Sequence, residues 1–124
     1  MPAQEKSPRV LVPQEPRFKM PDGSWKTVDM LQLLDFGSVE VLLEPGEQVT
    51  FNSASTVRRI VAKMIDYDAD KDFVVAAGDP VAIMIAGAVA AAAGRGKFKI
   101  LKWDRLERRY FVVPVDLVNL KGTT

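Results

Sequence analysis

The sequence predicts an α/β domain: a small, mostly parallel sheet with at least two helices and a C-terminal antiparallel hairpin. Three observations carry this. The run DFVVAAGDPVAIMIAGAVAAAAGRGKFKILKWDR, from Asp72 to Arg105, reads as a buried strand, a tight turn, an apolar helix, a Gly-rich exit and a second strand. Upstream, Val57, Ile60, Val61, Met64 and Ile65 fall at the spacing of one face of an amphipathic helix. Between and after these stretches strands and helices alternate, which calls for parallel strands joined by right-handed crossovers.

Each element has its own signal. Met1–Pro8 is polar and reads as frayed. Arg9–Val12 is a short strand candidate. Pro13, Pro16 and Pro21 then argue against regular structure, and Asp22-Gly23 marks a turn. Thr27–Phe36 fits a short helix with Gly37 beyond its end. Residues 1–36 therefore read as a Pro-rich, partly irregular arm of one domain spanning 1–124. Ser38–Leu43 is a strand, ended by Glu44-Pro45-Gly46. Asn52–Ser55 supplies caps for the amphipathic helix, with Arg58, Arg59 and Lys63 on its wet face. The apolar run Phe73–Ala77 suits a central parallel strand covered on both faces. Pro80–Ala93 follows as a helix. Lys97–Trp103 and Tyr110–Val115 close a hairpin around Asp104–Arg109, with Phe111 aligned with Val113 and Val115 toward the core. Pro114 lacks a donor and puts the last strand at a sheet edge.

Composition removes several chemistries. The chain has no cysteine and no histidine. Disulfides, thiolate catalysis, Cys-type zinc sites and every triad that depends on an imidazole are therefore absent. Catalysis would have to use carboxylates, Lys, Tyr or a hard cation held by oxygen. The polar N-terminus is not a signal peptide. The apolar helix spans about 21 Å at 1.5 Å per residue, short of the ~30 Å of a bilayer core. A cytoplasmic protein with no membrane contact is expected. The charge of +1 is unevenly spread. Acids dominate from Asp22 to Asp79. From Arg95 to Arg109, the bases Arg95, Lys97, Lys99, Lys102, Arg105, Arg108 and Arg109 face only Asp104 and Glu107.

Four constellations could carry function. Gly78-Asp79-Pro80 stands where a parallel strand hands over to a helix, the place where open α/β sheets bind ligands and helix N-termini attract anions. The same residues also make an ordinary helix start, with Asp79 as N-cap and Pro80 at the first helical position, and no Gly-rich phosphate motif is present. Gly78, Asp79, Asp104 and Arg105 form the candidate ligand site. Asp79 and Asp104, both just past strand ends, could share Mg²⁺ and support nucleotide or nucleic-acid chemistry; the alternative is a cap plus a hairpin-turn aspartate. The bases Arg95, Lys97, Lys99, Lys102, Arg108 and Arg109, with aromatics nearby, form a candidate nucleic-acid surface, or simply solvated strand edges. The alternating aspartates of DYDADKD look like a calcium loop, but Lys71 stands where that loop needs glycine and Ala77 where it needs glutamate. A solvated connection fits them better. Finally, the helix Val81–Ala93 is apolar all round and must be covered. A homo-oligomer packed through this helix would cover it; so would the N-terminal arm.

The run DFVVAAGDPVAIMIAGAVAAAAGRGKFKILKWDRLERRYFVVPVDL, with LDFGSVEVLLEPG before it, resembles small α/β proteins encoded by tailed phages. In them a "GDP" helix precedes a "LKWDR…Y" hairpin. The resemblance covers roughly Leu34 to Leu117. It implies action in a bacterial host cytoplasm and brings no catalytic residue with it. The expected function is a small non-enzymatic accessory or regulatory binding protein of phage type, with no cofactor required. The alternatives are a Mg²⁺-dependent enzyme using Asp79 and Asp104, and a structural protein assembling through its apolar helix.

Overall fold

The computed structural model describes residues 7–27, 30–51 and 53–119. Five strands form one mixed sheet in the order β4-β1-β5-β6-β7: β4 Ser38–Leu43, β1 Arg9–Gln14, β5 Phe73–Val75, β6 Lys97–Asp104 and β7 Arg109–Asp116. The first four of these are parallel, and β7 returns antiparallel along β6, with Leu101 opposite Val112 and Trp103 opposite Tyr110. The α/β class and the C-terminal hairpin hold as expected, and β7 is an edge strand.

The period of two along each strand splits the core into two layers. Leu11, Val74 and Phe98 face the helices α1 (Ala54–Lys63) and α2 (Pro80–Ala93), packing with Ile60, Met64, Ala82, Ala86 and Ala90. Val10, Val12, Val75 and Leu101 face the other way, under Leu33, Phe36 and Tyr110. The connections obey one hand: the link from β1 to β4 crosses on one face, and the two helical links, which step in the opposite direction across the sheet, cross on the other.

Four expectations need correction. The segment after β1 is not irregular: β2 (Arg17–Lys19) and β3 (Trp25–Thr27) form an antiparallel ribbon. The prolines flank or turn this ribbon without interrupting it: Pro16 precedes β2, and Pro21 lies in the turn closed by Met20 and Ser24. Pro13 sits inside β1, and the register with β4 passes from Val12 to Gln14 without it, so the missing donor costs one ladder bond at most. The helix expected over Thr27–Phe36 is a 3-10 turn, Leu31–Asp35, suited to a short connector without a side-chain cap; residues 28 and 29 lie outside the described set. Second, α1 ends at Lys63, so Ile65 leaves the buried stripe and is 78% exposed. Third, Phe111 shares a face with Val113 and Val115 but stays 38% exposed, because α2 does not extend over the edge strand. Fourth, α2 is not covered. It buries Ala82, Ala86 and Ala90, while Met84 is 74% and Val81 47% exposed. Of the described arm, β1 packs under the inner face of α2 through Leu11, while the 3-10 turn packs on the opposite face of the sheet.

Candidate functional site

The carboxyl ends of the parallel strands meet around one side chain, Gln14, at the end of β1. Its amide nitrogen donates to the carbonyls of Glu44 (2.9 Å) and Glu47 (2.5 Å), and its amide oxygen accepts from the Asp79 N–H (2.9 Å). One buried glutamine thereby ties β1, the loop after β4 and the start of α2. Gly78 makes this possible. Its φ is +105°, and a Cβ there would stand 2.3 Å from the Gln14 Cβ. Asp79 then caps α2, accepting from the N–H groups of Val81 (2.8 Å) and Ala82 (3.2 Å), with Pro80 at the first helical position.

Two clefts open at this end, on either side of Gly78. The first, about 470 Å³, is lined by Glu15, Trp25, Glu47, Gln48 and Asp79 among others. It lies where the strand order reverses between β1 and β5, the switch point of open α/β sheets. Its charged lining is acidic, and Glu47 is hydrogen-bonded to Arg59. That hydrogen bond holds the Glu47 carboxyl below its ordinary range. This cleft repels phosphate. The second, about 380 Å³, lies at the ends of β5 and β6, between Val75, Ala76, Ala77, Gly78, Lys102, Trp103, Arg105 and Tyr110.

Of the candidate ligand residues, Gly78 walls both clefts, Asp79 lines the first and Arg105 the second. Asp104 lines neither. Its carboxylate turns back into the hairpin and accepts from the N–H groups of Leu106 (2.9 Å) and Glu107 (3.3 Å). The two carboxylates offered for Mg²⁺ are thus each engaged by backbone donors in separate places. Among the described residues no group of three or more metal-ligating acids comes together.

The basic residues are spread along the length of β6 and its hairpin. Arg95 and Lys97 stand at the start of β6, and Lys102, Arg105, Arg108 and Arg109 at or beyond its end. Five strand steps separate Lys97 from Lys102, about 17 Å. Lys99 bonds the Asp70 carbonyl (3.1 Å) and lies 4.4 Å from the Phe73 ring centre, while Arg109 pairs with Glu107.

The amino ends of the strands are built differently. Asp72, expected to be solvated, is 1% exposed. It accepts from the N–H of Arg9 (2.9 Å) and of Asp68 (2.8 Å), and lies 3.6 Å from the Arg9 guanidinium, which also approaches Glu40 at 3.5 Å. The Tyr67 hydroxyl donates to the Asp72 carbonyl at 3.3 Å. Burial, reinforced by the charge of Asp72, pushes this phenol up to about 12. The aspartates of DYDADKD therefore join a helix to a strand through a buried carboxylate. Gln14, which sequence reasoning missed, carries no local signal; only the sheet brings it to this edge.

No helix among the described residues is long and apolar enough to cross a membrane. No curated protein and no solved structure matches the chain. The family model of the phage Pam3 gp32-like protein matches residues 8–117, which includes most of the N-terminal arm as well as the run from Leu34. The chain belongs to this family.

Proposed function

We propose that this phage-family protein works by binding rather than by catalysis, as an accessory or structural component that associates with a second copy of itself through the outer face of α2. One observation carries the reading: a helix without a charged or hydrogen-bonding side chain fully buries an alanine stripe, packs Ile85 and Val89 partly against the core, and turns Val81 and Met84 outward. Beside it lie Val61 of α1, 43% exposed, and Ile65 just beyond the end of α1, 78% exposed. Contiguous apolar surface of this kind marks an interaction site. A second copy is the fitting occupant because the α2 face carries no charge: a two-fold contact brings no like charges together, and Gly87, Ala88 and Ala91 let backbones approach closely.

The lack of His and Cys, and the engagement of Asp79 and Asp104 by backbone N–H groups, weigh against the Mg²⁺-dependent alternative. The family points to action in the host cell during infection. Sedimentation velocity at tens of micromolar tests the reading. Association is expected, reduced at least tenfold by Met84→Glu, a substitution at an exposed position that leaves the fold intact. A protein that stays monomeric across that range overturns it.

A further inference from the structure

We propose that the cleft at the carboxyl ends of β5 and β6 binds a ligand that joins a flat aromatic ring to a phosphate, the chemistry of a nucleotide. Its volume of about 380 Å³ lies within the range of small-molecule sites. Most of its lining is apolar: Pro16, Val75, Ala76 and Ala77, with Trp103 and Tyr110 held edge-to-face at 5.0 Å and 65°. Tyr110 is buried beneath this end of the sheet and Trp103 is partly open. A partly open indole braced by a buried ring is a stacking platform, and every nucleobase has a π-face to lay on it.

The charged lining is Lys102 and Arg105, and neither side chain makes an ion pair or hydrogen bond among the described residues. Two unpaired cations beside an apolar slot suit an anion, and a guanidinium fork suits phosphate in particular. The neighbouring acids sharpen the orientation. Asp104, the residue between Trp103 and Arg105, is drawn away into the hairpin turn. Glu15, Glu47 and Asp79 lie in the first cleft, beyond Gly78. A phosphate is pushed from that side and held on the Lys102–Arg105 side, leaving the ring over Trp103. Side chains, rather than a Gly-rich backbone cradle, would hold the phosphate, so the absence of a P-loop or dinucleotide motif is no obstacle.

A free mononucleotide and one unit of a single strand share this chemistry, and the test separates them. In full-length protein carrying Trp25→Phe, the fluorescence of Trp103 is followed while adenosine monophosphate, a short single-stranded oligothymidylate or inorganic phosphate is added. Saturable quenching by the mononucleotide assigns a free nucleotide; quenching by the oligonucleotide alone assigns a strand, with a salt slope of about −1.4 for two phosphate contacts. In either case Lys102→Ala with Arg105→Ala is expected to weaken binding at least tenfold, with an unchanged far-ultraviolet spectrum. No quenching at millimolar ligand overturns the proposal. So does quenching that survives the double substitution, or binding of inorganic phosphate as strong as that of the nucleotide. Met84→Glu leaves this site untouched, so its failure and that of self-association are read separately.

Discussion

At the amino ends of β1 and β5, a buried aspartate takes two backbone N–H groups and faces an arginine, and a buried phenol closes over its carbonyl. At the carboxyl ends of β5 and β6, two cations stand unpaired around an aromatic slot. The same sheet thus has one end where a buried carboxylate gathers two backbone N–H groups and an arginine, and one end where two exposed cations stand without a partner. The first arrangement is buried and ties β1 to β5. The second leaves capacity open, as expected of the carboxyl edge in an open α/β sheet.

Substitutions can break this contrast, beginning at the closed end. Asp72→Ala removes the counter-charge beside the Arg9 guanidinium and the acceptor of two N–H groups in a buried place, and should cost about 3–5 kcal/mol in urea unfolding. A loss below 1 kcal/mol would mean that the cluster is solvated after all. Gly78→Ala comes next. It meets both the positive φ and the Gln14 Cβ, and about 2–4 kcal/mol is expected. A smaller effect sits on the alkaline limb of stability. The Tyr67 phenol, ordinarily near 10, is pushed up to about 12. The unfolded chain therefore ionises it first. Its contribution is whole below pH 10 and is lost as the pH rises toward 12, and Tyr67→Phe should remove this part of the decline. Asp79→Ala removes only a helix cap, about 1 kcal/mol. At the open end, Lys102→Ala and Arg105→Ala should change stability by no more than about 0.5 kcal/mol each. A larger loss would show that these cations support the fold and would erase the difference between the two ends.

The parts of the fold legible in the sequence are those with local causes. The bounds of α2 follow from an Asp-Pro start and a Gly exit, and those of β4 from Glu44-Pro45-Gly46. The ribbon β2–β3 was hidden because prolines were read as interruptions where they serve as boundaries and turn residues. Asp72 looked solvated because its partner Arg9 is 63 residues away in the chain. The candidate site was legible only in part. Gly78, Asp79 and Arg105 stand just past the carboxyl ends of β5 and β6, as strand ends read from local sequence would have them. Gln14, which binds that edge together, lies in β1, far along the chain from the segments it joins. The pairing of Trp103 with Tyr110 depends on hairpin register, and the separation of Arg95 from Arg105 on the length of β6.

The alanine-rich second half of α2, Ala86 to Ala93, has a consequence for the kinetics and temperature response of any contact made there. Alanine and glycine have no rotamers to lose, so a neighbour that settles on this stretch freezes almost nothing in it. The surface is already in its final shape before encounter. Docking on it is governed by geometric fit, with little rearrangement to slow arrival or to delay departure.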